Sequence, residues 1–153
     1  MIPKLVPKRI VLDTNVCLDL FVFRDPRWAL LLEAMKNGQV EALTRDDCRK
    51  EWSIVLGYPH LKLDEAARVQ VSAEFDALIQ CRPMPATDEI PVKLPVCKDK
   101  DDQKFLELSR DVKADVLITK DKALLKLARK TRRDGLFAIC LLYTSDAADD
   151  SLR

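Results

Sequence analysis

Short apolar runs of strand type alternate along the chain with longer segments of helical period. Arg9-Ile10-Val11-Leu12-Asp13 is a β-branched run closed by an acid, the form of a buried parallel strand. Val40-Glu41-Ala42-Leu43, Ala114-Asp115-Val116-Leu117-Ile118 and Leu136 to Cys140 are further runs of that type. After the first run, Thr14-Asn15 are capping-type residues before the apolar stretch Val16 to Phe23, which predicts a short helix. Asp25-Pro26 opens the next helix with proline in its first turn. Trp28, Leu31, Leu32 and Met35 then recur at helical spacing until Asn37-Gly38. Thr44 predicts the N-cap of a helix to about Leu56, and Asp64 starts a long one reaching about Gln80. Asp99 caps a helix whose face includes Phe105, Leu108 and Val112, and Thr119 caps another running through Lys130. Cys81 to Val96 breaks the alternation: Pro83, Pro85, Pro91 and Pro95 lie there, four of the chain's eight prolines, and predict an extended crossing with at most one short strand. Strands alternating with helices imply βαβ units. The expected fold class is therefore α/β: three layers, α/β/α, around a central, mostly parallel sheet of about four or five strands.

Composition narrows the chemistry. The chain has 153 residues, 48% hydrophobic and 33% charged, enough to bury one core and stay soluble. Twenty-six Lys and Arg against 25 Asp and Glu give a net charge of +1, which points to no class of partner. His60 is the single histidine, so no His-rich zinc site can form. Gly38, Gly57 and Gly135 are isolated, which excludes a glycine-rich dinucleotide turn and a P-loop, and there is no G-x-S-x-G elbow. Cys17, Cys48, Cys81, Cys97 and Cys140 include no C-x-x-C pair and predict reduced thiols in a cytoplasmic protein. No signal peptide is evident, and no apolar run approaches the ~20 residues of a membrane span, so no membrane partner is expected. Any chemistry must rest mainly on carboxylates, amides and hydroxyls.

In parallel sheets, ligands bind outside the carboxyl ends of the strands. Asp13 ends the first strand, and Asp121 lies three residues past the Ala114–Ile118 strand. Asp102 sits in the first turn of the helix before that strand, among Asp99 and Asp101, and Glu51 lies two turns into the helix after Thr44. Carboxylates that converge repel unless protonated or neutralised by a cation. Oxygen donors without His or Cys suit Mg²⁺ or Mn²⁺, ions able to activate water for phosphodiester hydrolysis. Each acid also has a purely structural account. An acid in a first helical turn caps free N–H groups and favours the dipole by about 0.3–1 kcal/mol, and Glu51 on an amphipathic helix could simply face solvent.

Val11-Leu12-Asp13-Thr14-Asn15-Val16 resembles the opening motif of PIN-domain ribonucleases, whose first strand ends in a metal-binding Asp. Arg49-Lys50-Glu51 resembles the family's Glu segment. The run from Pro95 to Leu108, PVCKDKDDQKFLEL, resembles its third acidic motif, and that from Ala114 to Leu125, ADVLITKDKALL, its fourth. The likeness spans roughly residues 9 to 140. Within the family it resembles bacterial toxins of toxin–antitoxin pairs, VapC-like in architecture. The resemblance implies a PIN-like nuclease domain over 1–140 that hydrolyses RNA phosphodiester bonds with Mg²⁺ or Mn²⁺. Asp13, Glu51, Asp102 and Asp121 would be its catalytic, metal-binding acids. Asp102 is preferred within the acidic run because it shares a helical face with Phe105, Leu106 and Ser109. Asn15 and Thr119 would orient the acids or bound water, and Asp99 would cap the helix. The implied partners are the RNA substrate, a cognate antitoxin protein and a second copy of the chain.

Lys120 to Arg133 reads KDKALLKLARKTRR, seven basic residues against one acid, a local net charge of +6. Lys122, Lys126, Arg129 and Arg133 recur at helical spacing and would track RNA phosphates, or equally form a solvated basic face. Lys4, Lys8 and Arg9 would add to them. Aromatic residues are not interleaved there, so base stacking is not expected. His60, in Tyr58-Pro59-His60, reads as an exposed loop histidine, and Trp28 and the Val16–Phe23 run as core. The string from Leu141 to Asp150 resembles translated sequencing-adaptor read-through, so 141–153 is expected to be a non-native or disordered tail. Two other readings remain. One is a catalytically impaired PIN fold that binds RNA without cutting it. The other is a different Mg-dependent phosphoryl-chemistry domain, disfavoured because a receiver needs an acidic pair near the first strand and a dehalogenase-like phosphatase needs Asp where this chain has Asn15.

Overall fold

The computed structural model describes residues 7–83 and 90–141. Strand β1 (Lys8–Leu12) runs into α1 (Thr14–Phe21), and a 3-10 turn over Pro26–Trp28 leads to α2 (Ala29–Asn37). Then come β2 (Val40–Thr44), α3 (Asp46–Leu56), a 3-10 turn over Pro59–Leu61, α4 (Glu65–Leu78) and β3 (Ile79–Cys81). Beyond the proline-rich crossing, a 3-10 turn over Lys100–Asp102 opens into α5 (Gln103–Asp111). The chain continues through β4 (Val116–Ile118), α6 (Lys122–Leu125), α7 (Ala128–Arg133) and β5 (Ala138–Cys140).

The five strands form one sheet in the order β3-β2-β1-β4-β5, every neighbouring pair parallel. From β1 the chain adds β2 and β3 on one side, then returns to add β4 and β5 on the other. The switch point lies between β1 and β4, where Leu12 stands opposite Ile118 and the Asp13 N–H bonds the Ile118 carbonyl at 3.1 Å. At such a point the flanking connections diverge and leave a crevice beyond the strand ends.

Successive side chains of a strand point to opposite faces, and the two cores follow that period. Ile10, Leu12, Val116 and Ile118 face one way, into a core with Phe21, Trp28, Leu31, Trp52 and Phe75. Val11 and Leu117 face the other way, against Phe105, Leu106, Leu108, Leu124, Phe137 and Ile139. The first core holds an aromatic trio: Trp52 stacks on Phe75 with centroids 5.0 Å apart, and Phe21 meets both edge-on at 6.1 and 5.9 Å. Burial of both sheet faces gives the three-layer α/β architecture that the alternation of elements predicts. Trp28 and the Val16–Phe21 part of the first apolar run are core as expected, whereas Phe23 is 58% exposed.

Local details depart from the sequence reading at the helix starts. Asp13, not Thr14 or Asn15, caps α1; Arg45, not Thr44, precedes α3 and caps it with no side-chain bond; and Asp121, not Thr119, caps α6. Thr44 ends β2, and the buried Thr119 bonds the Asp13 carboxylate instead. The helix expected from Thr119 to Lys130 is two short ones, broken at Lys126–Leu127 as the chain turns Leu124 and Leu127 into the second core. The long helix from Asp64 ends at Leu78, and β3 follows at once rather than lying within the proline-rich stretch. Its residues pair with β2, which supplies the hydrogen bonds that prolines cannot. Gly38 stops α2 as expected, with φ +83° in the left-handed region. Lys4 and residues 142–153 of the expected tail lie outside the described residues.

Candidate active site

The acids at the strand ends meet in a cleft of about 340 Å³ over the switch point, lined by Asp13, Glu51, Asp102 and Asp121 and also by Asp99 and Asp101. Asp13 leaves β1 as the cap of α1: Oδ1 accepts the Val16 N–H at 2.9 Å, and Oδ2 accepts the Thr119 hydroxyl. Burial lifts its carboxyl above the usual range, against the pull of the Thr119 hydroxyl and of the Val16 and Lys120 N–H groups. Thr119 is fully buried at the end of β4, and its oxygen also accepts the Asp121 N–H at 2.9 Å. One hydroxyl thus links the loops that follow the two central strands.

Capping and clustering prove compatible, because a carboxylate has two oxygens. Asp121 accepts the Ala123 N–H through Oδ1 at 2.7 Å, and Asp99 accepts the Asp101 N–H through Oδ1 at 3.0 Å. Even so, Asp99, Asp102 and Asp121 bring carboxylate oxygens within 4.8 Å of one another. Desolvation pushes the Asp102 carboxyl up to about 8, helped by its hydrogen bond to Asp121 and by the charges of Asp121, Asp99 and Asp13. Asp121 is held below the usual range, chiefly by that same bond from Asp102. Near neutral pH the crowding of these acids favours one proton held between the pair.

Glu51 lines the same cleft but stands outside this trio. Its carboxylate accepts the Thr14 hydroxyl and the Lys104 ammonium, the latter at 3.0 Å. Helices α3 and α5, which carry Glu51 and follow Asp102, are tied by the buried Arg45. Its guanidinium bonds Asp47 at 2.7 Å, Glu107 at 3.1 Å and Asp111 at 3.4 Å, and the Asp47 bond foremost raises its pKa. The acidic turn is pinned from below by Gln103, which accepts the Cys97 N–H at 2.6 Å and donates to the Pro95 carbonyl at 3.1 Å. Asn15 is exposed in the first turn of α1 and lines the cleft.

Other expected residues lie elsewhere. Lys122, Lys126, Arg129 and Arg133 are all exposed but distributed over α6, its cap and α7, and none lines the cleft. Lys120 turns away to the buried Asp19 at 2.6 Å, which also accepts the Trp28 indole N–H at 3.0 Å. Lys104, and Thr14 as a partner of Glu51, are not among the expected site residues; His60 is exposed in its connector as expected, but it and Tyr58 also line the cleft. The only sequence signal for that pair is an aromatic beside the single histidine in a connector. Nothing in the spacing brings it to the crevice.

A parallel three-layer α/β fold with an acidic crevice at its switch point is a frame whose carboxylates could hold a divalent cation. The PIN domain family matches residues 9–123, and the chain belongs to that family. PIN domains are typically nucleases that depend on a divalent metal and bind RNA. No curated protein matches the chain significantly. Among the described residues no helix is long and apolar enough to cross a membrane.

Proposed function

We propose that this PIN domain is an endoribonuclease that uses Mg²⁺ or Mn²⁺ held by Asp13, Glu51, Asp102 and Asp121, and that it serves as the cytoplasmic toxin of a toxin–antitoxin pair. The observation that carries the reading is the convergence of Asp99, Asp102 and Asp121, whose carboxylate oxygens lie within 4.8 Å of one another in the cleft that Asp13 and Glu51 also line, crowding that favours a proton between Asp102 and Asp121. A divalent cation would take that proton's place, and the clustered donors are all hard carboxylate oxygens, which fit Mg²⁺ or Mn²⁺. The ion, when bound, would activate water and stabilise the leaving oxygen.

The chain's own residues supply the rest. Thr119 and the Val16 N–H hold the two oxygens of the Asp13 carboxylate, which lines the cleft. Thr14 and Lys104 fix the rotamer of Glu51, and Asn15 lies where it can orient a water. Asp99, expected as a cap supporting the site, adds a further oxygen to the cluster. The exposed cations Lys122, Lys126, Arg129 and Arg133 would attract phosphates by counterion release. The exposed Phe23 and Leu30 offer apolar contacts for an antitoxin or a second copy.

The test is titration of Mn²⁺ and Mg²⁺ by calorimetry into the wild type and Asp13→Asn, followed by incubation with a structured RNA with and without chelator. Metal-dependent cleavage lost in the variant supports the reading. Metal binding without cleavage of RNA favours the RNA-binding module, and absence of metal binding reduces the acids to helix caps. Growth arrest of bacteria on induction, absent for Asp13→Asn, tests the toxin role.

A further inference from the structure

The cleft is lined by two chemically distinct groups of residues. Six acids line one part, and no Lys or Arg lines any part among the described residues. Leu18, Val55, Tyr58 and His60 make another part of the lining. The Tyr58 and His60 rings lie with centroids 5.8 Å apart and planes inclined by 42°, and Tyr58 stays 45% exposed although its ring lines the cleft. An exposed aromatic pair is a poor use of apolar surface unless something covers it.

The segment that presents the pair is built firmly. The Gly57 and Tyr58 N–H groups each bond the last turn of α3 at 3.0 Å, to Ile54 and Val55. The Tyr58 carbonyl accepts the Leu61 N–H at 3.1 Å, Pro59 opens the 3-10 turn, and Lys62 closes it at φ +54°. Backbone of this kind holds rings in place, which lowers the ordering cost of a ligand that packs on them.

We propose that Tyr58, flanked by His60, is a stacking platform for an unpaired nucleobase of single-stranded RNA, beside the phosphate at the carboxylates. This rests on the ribonuclease reading. A lining with rings and methyl groups but no cation suits the neutral, flat part of a nucleotide, and every base has a π-face to offer. In a duplex those faces are covered by neighbouring bases, so the platform selects loops, bulges and free ends. The expectation that no base stacks on the basic segment is untouched by it, since the rings belong to the cleft and not to that segment.

The probe is a fluorescent single-stranded oligoribonucleotide, with its duplex and a series carrying one abasic position. Binding is read by anisotropy in an Asp13→Asn background, and cleavage in the otherwise wild-type chain with Mn²⁺. Tyr58→Ala is expected to weaken binding about tenfold, the usual range for loss of one stacked base, and Tyr58→Phe to restore most of it. One abasic position weakens the parent similarly and has no further effect on Tyr58→Ala. Unchanged Mn²⁺ titration and melting separate a lost platform from a damaged fold. A parent that does not bind the strand, Tyr58→Ala that binds as its parent does, or a duplex bound with the same Tyr58 dependence overturns the proposal. Ring-dependent binding without cleavage upholds the platform and sinks the hydrolase reading. Cleavage undiminished in Tyr58→Ala does the reverse.

Discussion

Thr119→Val isolates the bond that joins the ends of β1 and β4. The substitution keeps shape and burial but removes a hydroxyl that donates to Asp13 and accepts the Asp121 N–H. Thr119 is fully buried and Asp13 is 3% exposed, so water does not replace the lost donor. A hydrogen bond to a charged group contributes about 1.5–3 kcal/mol, and a buried partner left unsatisfied costs about 1–3 kcal/mol. The Asp121 N–H is half-buried and adds little. The expected loss is about 2–4 kcal/mol, and with a urea slope near ~2 kcal/mol per molar the midpoint falls by about 1–2 M. The pH dependence has a definite sign. Asp13 already titrates above the ordinary carboxylate value, and the Thr119 bond lowers it, so the variant's carboxyl titrates higher still. The folded variant holds its proton over a wider range than the wild type, so the deficit grows as pH rises through that interval and shrinks in acid. Urea unfolding with chelator, at about pH 4 and about pH 8, with Thr119→Ser restoring the hydroxyl, makes the measurement. A deficit under ~0.5 kcal/mol at the higher pH, below any named mechanism, or one equal at both values, refutes the reasoning.

Four further outcomes follow from the same geometry. Because Asp102 releases its proton only near pH 8, Mn²⁺ affinity should fall about tenfold per pH unit below that value. Calorimetry in buffers of different ionisation enthalpy should show about one proton released per ion bound, and a pH-independent affinity from pH 6 to about 8 would contradict the shared proton. Without metal, Asp102→Asn should raise the melting temperature by about 2–4 °C near pH 8, since an amide replaces a repelled acid, while the shift induced by Mn²⁺ disappears. Among the described residues the Trp52 indole N–H is a buried donor with no partner, whereas that of Trp28 bonds Asp19. Trp28→Phe should therefore destabilise by at least ~1 kcal/mol more than Trp52→Phe in urea unfolding. Replacing Lys122, Lys126, Arg129 and Arg133 together by Ala should reduce the slope of log affinity against log salt by up to about 3 for single-stranded RNA, and an unchanged slope removes them from the RNA contact.

Much of the fold was legible because buried parallel strands and amphipathic helices leave different periods in a sequence. Ile10, Leu12 and Val11 go to opposite cores as a period of two requires, and Gly38 stops α2 for want of a Cβ. The helix starts were less legible. Ser, Thr, Asp and Asn all cap, and only backbone geometry decides that Asp13 and Asp121 do so while Thr119 gives its hydroxyl to Asp13. The broken helix after Asp121 was hidden because its apolar residues have helical spacing on both sides of the break. In the site, the acids stand out in sequence as strand-end residues, but their partners do not. Lys104 on Glu51 and Arg45 across α3 and α5 join positions 53 and 62 residues apart, and no local pattern records such distances.

By itself, then, the sequence determined the class of fold, the order of its elements and the chemical type of its site: oxygen donors, no histidine cluster, no phosphate loop. Those follow from local periodicity and composition, which act within one element at a time. The tertiary structure alone decided that β1 and β4 are neighbours, because strand order is set by how helices cover the sheet and not by any single strand. That adjacency lets one hydroxyl bind two loops and crowds three acids, in a cleft that an aromatic pair also lines. Proximity between residues distant in the chain is a property of packing, and the interactions it creates exist only once the core has closed.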